Sequence, residues 1–292
     1  MTIIVKLQGG LGNQLFQYAI GRALAIKLKT EFKIDKTLFD NYKFHAYSLD
    51  PFNIIENFAT KKEVKRFKRF QVRHKRFCKP YNILFADKDR YIQERQPYFD
   101  SEVLEKGPNI YLDGYWQSEK YFKHIKNTLR VELTLKKPLS VVSSKIKNEI
   151  ESVNAVALHV RRGLFVTHPV FSQVHGSCSL EYYKKALTYI CKHVKDPHIF
   201  VFSDDHEWAR ENIKPSCSST YIEHTDASTD YEDLILMSCC KHFILANSTF
   251  GWWGAWLNPS ENKIVIGPDK WYKKEKFENK DIFPDSWIKL PN

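Results

Sequence analysis

The residues best equipped for chemistry are Arg161 and Arg162, followed by Gly163, directly after the apolar run NAVALHV. Arginine stays charged at any physiological pH and offers a planar fork of donors that fits phosphate oxygens in pairs. Two of them at a strand end, beside a glycine that allows close backbone approach, could neutralise a pyrophosphate without a metal. The competing reading is a pair of surface arginines tied to neighbouring carboxylates. A second group lies in ANSTFGWWGAWLN, residues 246–258, where Ser248 or Thr249 would cap the next helix and leave backbone N–H groups facing an anion. Trp252, Trp253 and Trp256 follow at helical spacing and are expected in the core. FSDD, ending in Asp204 and Asp205, could accept hydrogen bonds from a nucleoside or hold a divalent cation. Its DD spacing differs from the DxD of metal-dependent sugar transferases and favours the nucleoside role. GGLGN, residues 9–13, with Asp35 at the end of the following strand, invites a dinucleotide reading, but Leu15 stands where the third glycine would be. The same loop could instead bring backbone N–H groups and the Asn13 amide toward a sugar.

These groups need strands to hold them. The first forty residues read as strand TIIVKLQ, a glycine turn, helix 14–29 and strand EFKID. Residues 41–107 have no clean period and are expected to carry helices, while IYLDGYWQ reads as a strand running into a loop. KKPLSVVSS places a domain boundary near residue 140. Beyond it, NAVALHV, HIFVFS, TYIEHT, HFILAN and KIVIG alternate with helices around 179–194, 206–213, 230–240 and 249–257, the pattern of a doubly wound parallel sheet. The strands end in Arg161 and Arg162, Asp204 and Asp205, Thr225 and Asp226, and Asn247 with Ser248 and Thr249. Open α/β sheets bind ligands outside those carboxyl ends.

The 292 residues suffice for one large α/β domain or two ordinary ones. A net charge of +11 favours an anionic partner. Ten Lys or Arg against one Glu fall in residues 61–79, interleaved with Phe67, Phe70 and Phe77. This segment is either a basic amphipathic helix on anionic lipid or a solvated helix with its phenylalanines in the core. No nucleic-acid-binding pattern accompanies the charge. Six cysteines, without a CxxC pair or zinc-type spacing, are expected to be free thiols. No apolar run reaches the roughly 18 residues of a membrane span, and the amino terminus lacks the features of a signal peptide, so a cytoplasmic protein is expected.

Six stretches in order, GGLGNQLFQYA, LDGYWQSEKYF, HVRRG, HGSCSLEYY, FSDD and NSTFGWWGAWL, resemble the alpha-1,2-fucosyltransferases of glycosyltransferase family 11 from Gly9 to Leu257. The resemblance implies a GT-B arrangement of two Rossmann-like domains facing across a cleft: 1–140 on the acceptor side and 141–292 binding the nucleotide sugar. It implies GDP-L-fucose as donor, a terminal beta-galactoside as acceptor, inversion, and no obligatory metal or other cofactor. By position it implies catalytic roles for Arg161, His159 and Asn13. Arg161, Arg162, Asp204, Asn247, Ser248, Thr249, Phe250, Gly10 and Gly12 would bind the donor, and Gln14, Tyr115, Trp116 and His175 the acceptor.

One departure stands out. Family members usually continue the arginine motif as HxRRGDY, whereas this chain has Leu164 and Phe165. Leucine accepts neither a proton nor a hydrogen bond. Either that aspartate is dispensable, or Asp113 or His175 substitutes, or turnover is weak. The expectation is an inverting GDP-fucose-dependent transferase, with peripheral contact to the inner membrane face through residues 61–79. Its rivals are a transferase of other linkage or other GDP-sugar, a GDP-sugar-binding protein without turnover, and a basic surface-binding module.

Overall fold

The computed structural model describes residues 1–41, 44–69, 89–223, 229–274, 277 and 280–292, with backbone only at 170 and 171. The chain forms two compact units, Met1–Lys136 with Lys280–Ile282, and Lys137–Asn279 with Phe283–Asn292.

In the first unit, β1 (Thr2–Lys6), α1 (Leu11–Lys27) and β2 (Glu31–Asp35) form a β-α-β start, followed by α2 (Lys61–Lys68), β3 (Tyr91–Gln93), β4 (Ile110–Asp113) and α3 (Lys126–Glu132). The strands make a parallel sheet in the order β2-β1-β4-β3. The β1-to-α1 turn depends on Gly9, whose φ of +77° is open to glycine but costly for other residues. The helix begins at Leu11, three residues earlier than the sequence suggests, so Gly12, Asn13 and Gln14 lie in its first turn.

Helix α2 starts with a capping box: Thr60 Oγ1 accepts from Glu63 N, and Glu63 accepts from Thr60 N. Lys33 and these cap bonds lower the Glu63 carboxyl to about 2. The apolar side of α2 rests on the unit's own sheet, with Val64 buried beside Ile4, Tyr91 and Tyr111, and Phe67 stacked on Tyr111 at 6.2 Å. This is the solvated-helix reading of the basic segment over its described part; residues 70–79, with Phe70 and Phe77, lie outside the described residues. No described helix is long and apolar enough to cross a membrane.

In the second unit, α4 (Val141–Ser152) leads into β5 (Asn154–Val160), α5 (Gly163–Thr167), α6 (Pro169–Val174), α7 (Leu180–His193) and β6 (Pro197–Ser203). Then come α8 (His206–Asn212), β7 (Ser219–Ile222), α9 (Asp230–Cys239), β8 (His242–Ile244), α10 (Thr249–Leu257), β9 (Val265–Pro268) and β10 (Ile288–Leu290). All six strands are parallel, in the order β10-β9-β8-β5-β6-β7. Counted within the unit, this is the 3-2-1-4-5-6 order of dinucleotide-binding sheets, with its topological switch point between β5 and β8. Six of the seven β5 residues are buried because helices cover both faces, which is why the strand reads as one apolar run. Trp252, Trp253 and Trp256 are buried in α10, as core residues. Thr225 and Asp226, expected at the end of β7, lie outside the described residues.

Candidate functional site

In the second unit the register of β5 on β6 builds the polar cluster. Val160 pairs with Ser203, so the next residues on each strand, Arg161–Arg162 and Asp204–Asp205, emerge side by side. Arg161 Nη1 lies 3.0 Å from Asp204 Oδ2, and Arg162 Nε donates to Asp205 Oδ2 at 3.0 Å. The Arg162 backbone N–H also donates to Asp204 Oδ1 at 2.8 Å. Asp205 further accepts from Trp208 N and so caps α8, while the Arg162 guanidinium lies over the Trp208 ring at 3.9 Å. The arginines are therefore paired with carboxylates, and the two Arg and two Asp charges balance. Each guanidinium has one nitrogen in its carboxylate contact, leaving further N–H donors for an incoming oxygen ligand.

Gly163 does permit a close approach, but by a different group from the one expected: a Cβ there would sit 2.3 Å from Asp204 Oδ2. Asp204 thus holds Arg161 and the 162 backbone while its side chain stays 24% exposed. Phe165, where the family pattern has tyrosine, stacks on His175 at 4.5 Å with the rings nearly parallel, and Arg161 lies 5.6 Å from the Phe165 ring centroid.

Beside this stack is a cavity of about 490 Å³, lined by Phe165, His175, Tyr272, Lys270 and Lys273 among others. Tyr272 and the two lysines follow the carboxyl end of β9, the same sheet edge that carries Arg161. They were missed because nothing in KWYKK distinguishes it from a surface loop. Among the described residues, no group of three or more His, Cys, Asp or Glu is arranged to hold a metal ion.

His159 is buried, its Nδ1 has no hydrogen-bond partner among the described residues, and burial followed by the Arg161 charge lowers its pKa to about 3. It is thus a neutral imidazole, 5.7 Å from the Phe250 ring, and brings no positive charge to a diphosphate. The same two causes lower His175 to about 4. Asp230, at the start of α9, escaped the sequence reading because its chain neighbours carry no motif. Burial raises its carboxyl to about 6 against the opposing influence of Tyr231 and Arg161, which puts it within electrostatic reach of Arg161.

Asn247 proves to be a buried tie. Its Nδ2 donates toward His175 O, Gly176 O and Trp271 O at 3.1–3.2 Å, and its Oδ1 accepts from Cys178 Sγ. With its amide spent on these loops, Asn247 is a positioning residue, which corrects its expected contact with the phosphates. Ser248 is buried and caps α10 by accepting from Phe250 N, while Thr249 and Phe250 are half-buried in the first turn.

In the first unit, Gln14 is fully buried. Its Nε2 donates to Gly9 O and Ala46 O, and its Oε1 accepts from Ser48 N. Both its amide donors are used and no part of it is exposed, so it does not face an acceptor. Gly12 is buried beside it, whereas Gly10, the helix N-cap, and Asn13 are half-buried. Asn13 Oδ1 accepts from Gln117 Nε2 at 2.9 Å. Trp116 is also corrected: it is 1% exposed, has a φ of +57°, and packs edge-on against Tyr121, leaving no face for a sugar. Tyr115 is exposed.

The Glu94 carboxylate holds both backbones of that turn, accepting from Tyr115 N and Trp116 N at 2.7 and 2.8 Å, and burial raises its pKa. Asp113, the suggested substitute base, is engaged by Lys6 Nζ at 2.8 Å and the Tyr91 hydroxyl at 2.6 Å. Asp35 accepts from the Tyr111 hydroxyl and Thr37 N and is buried, so it ties β2 to β4 instead of offering itself to a ribose. Of the expected acceptor set, Gln14, Tyr115 and Trp116 belong to the first unit and His175 to the second.

A parallel sheet in this order, with arginines, carboxylates and a capped helix start at the switch point, is the architecture of ligand-binding α/β proteins. A model of glycosyl transferase family 11 matches residues 2–291, and the chain belongs to that family. It is 33% identical over 300 residues to an Escherichia coli alpha-1,2-colitosyltransferase, covering 99% of both chains. It is 32% identical over 305 residues to the Escherichia coli O-antigen biosynthesis glycosyltransferase WbnK, covering 97% of this chain and 99% of that one. A human galactoside alpha-(1,2)-fucosyltransferase 1 is 26% identical over 196 residues, 63% of this chain and 53% of the relative. Among solved structures, a GDP complex of an Arabidopsis thaliana FUT1 variant shares the fold with a TM-score of 0.54 at 12% identity, covering 92% of this chain and 71% of that one.

Proposed function

We propose that this glycosyltransferase moves L-fucose from GDP-L-fucose to the 2-hydroxyl of a terminal beta-galactoside on an O-antigen-type glycan, with inversion. The observation that carries the proposal is the Arg161–Arg162 pair at the switch point of a family 11 chain, with Lys270 and Lys273 lining the adjacent cavity. In this reading the two units act as the paired Rossmann-like domains of a GT-B enzyme, 1–140 serving the acceptor and 141–292 the donor. The protein works in the cytoplasm, and residues 61–79 supply any peripheral contact with an anionic membrane.

The chemistry proposed is a single displacement at the anomeric carbon. The bond to the GDP oxygen breaks as the acceptor oxygen attacks from the opposite face, and charge develops on the departing diphosphate. Arg161, oriented by Asp204, and Arg162, oriented by Asp205, meet that charge with their remaining N–H donors, and the positive end of the α10 dipole adds to it. His159, neutral, offers one hydrogen-bond donor and no charge. Fixed guanidinium charge is the reason the proposal needs no obligatory metal. Removing one such donor typically costs about 10²- to 10³-fold, so Arg161→Ala should lower kcat by about that much. A fall of less than about threefold, under 1 kcal/mol, would contradict the role.

A second reading is favoured by the alpha-1,2-colitosyltransferase relative: the donor is a GDP-sugar lacking the 3-hydroxyl. Leu164, apolar where the family pattern has aspartate, suits a less hydroxylated sugar. Competition between GDP-fucose and GDP-colitose, with Leu164→Asp alongside, separates the two. Preference for GDP-fucose that Leu164→Asp leaves unchanged would remove the second reading.

A further inference from the structure

The cysteines, unremarkable in sequence, include a pair among the described residues that the fold brings together. Cys191 in the last turn of α7 and Cys217 in the connection entering β7 have their sulfurs 3.7 Å apart. That is van der Waals contact, and closing it to a bond of about 2.05 Å asks for a combined movement of about 1.7 Å, within reach of side-chain rotation. Cys191 is exposed and Cys217 is half-buried.

Both line a groove of about 1020 Å³ whose rim carries Lys192 and Lys195 against the single carboxylate of Asp196, together with His193 and with His198, whose pKa burial lowers. The groove lies at the amino ends of β5 and β6, the opposite edge of the sheet from Arg161. Neither thiol is used by the proposed transfer reaction.

We infer that Cys191 and Cys217 are a redox-active dithiol that closes to an intramolecular disulfide by exchange with an anionic low-molecular-weight disulfide held in this cationic groove. The exposed Cys191 thiolate attacks one sulfur of the small disulfide, breaking its S–S bond and releasing one small thiol. Cys217, its proton passing to solvent, then attacks Cys191 Sγ, breaks the mixed disulfide and releases the second small thiol. Two protein thiols are oxidised and one small disulfide is reduced to two thiols. Burial pushes the Cys217 thiol up to about 11, with the contact to Cys191 adding to the effect, so Cys191 is the first nucleophile. The bond would tie the end of α7 to the chain entering β7, closing a loop of 26 residues in sequence separation.

The probe is oxidised glutathione, with cationic cystamine as the comparison. The whole protein is incubated with each, free thiols are alkylated after quenching, and intact mass and disulfide-linked peptides are read. The expected wild-type product is lighter by two hydrogens, carries a Cys191–Cys217 linked peptide, and melts roughly 5 °C higher than the reduced form. It should form faster with glutathione disulfide than with cystamine, with an advantage that shrinks at high salt. Cys217→Ser should stop at a glutathione adduct on Cys191, and Cys191→Ser should form neither product. GDP binding should be the same in oxidised and reduced protein, which keeps this test separate from the transferase reading. Glutathione adducts without closure in the wild type, or two thiols that remain alkylatable, would overturn the inference, as would cystamine reacting as fast as glutathione disulfide.

Discussion

Gly163→Ala isolates the link between the glycine, Asp204 and Arg161. The glycine needs no special backbone angle, and alanine is the better helix former by about 1 kcal/mol, so local propensity favours the substitution. The cost is steric. A methyl group at 163 would lie 2.3 Å from Asp204 Oδ2, an oxygen that cannot yield freely because the same carboxylate holds Arg161 Nη1 at 3.0 Å and Arg162 N at 2.8 Å. Displacing it loses a charge-assisted hydrogen bond worth about 1.5–3 kcal/mol and a partly exposed ion pair worth at most about 1 kcal/mol. Set against the propensity gain, the net loss is about 1–2 kcal/mol, or a melting shift of about 3–6 °C in a unit of this size. The sharper effect should be on GDP affinity, because Arg161 loses the partner that orients it. Calorimetric titration should show a loss of about tenfold, or 1.4 kcal/mol. A melting point and a GDP affinity both unchanged within about 0.5 kcal/mol would refute the account of Gly163 and of Asp204 as the orienting group.

Other consequences concern buried groups. Asp230 has its pKa raised from 3.8 to about 6, so the folded state holds a proton that the unfolded state releases, and stability falls as pH rises through that window. Asp230→Asn should therefore be more stable than wild type by about 3 kcal/mol above pH 6, an advantage vanishing below pH 3.8, as read from urea melts across pH. His159 has the opposite sign: its pKa is lowered from 6.5 to about 3, so wild-type stability is lost as pH falls through that range, and His159→Gln should flatten the acid limb. Gln14→Ala should destabilise by about 2–3 kcal/mol, since it strands Gly9 O, Ala46 O and Ser48 N, and should leave the acceptor KM of folded enzyme unchanged. A raised KM at unaltered stability would restore Gln14 as an acceptor residue.

The fold of the second unit was legible because buried parallel strands leave continuous apolar runs: NAVALHV and HIFVFS coincide with β5 and β6 within one residue. β3 and β10, of three residues each, were not, because so short a run has no period to detect. The arginine and aspartate pairs were each visible as strand ends. Their pairing follows from the β5–β6 register, which a single sequence does not display. The family resemblance implied ligand contacts for Asn247 and Gln14 by position alone. Their actual partners are mostly backbone groups, which carry no residue signature. Trp116 was misread for a related reason: its left-handed backbone, with Glu94 holding the turn, directs the ring inward.

The most direct test of the proposed function is GDP release from GDP-L-fucose in EDTA, with and without a beta-galactoside such as lactose, followed by linkage analysis of the product. The account predicts acceptor-dependent release and an alpha-1,2 linkage, with Leu164 in place. GDP release that ignores the galactoside, or a requirement for added divalent metal, would contradict it.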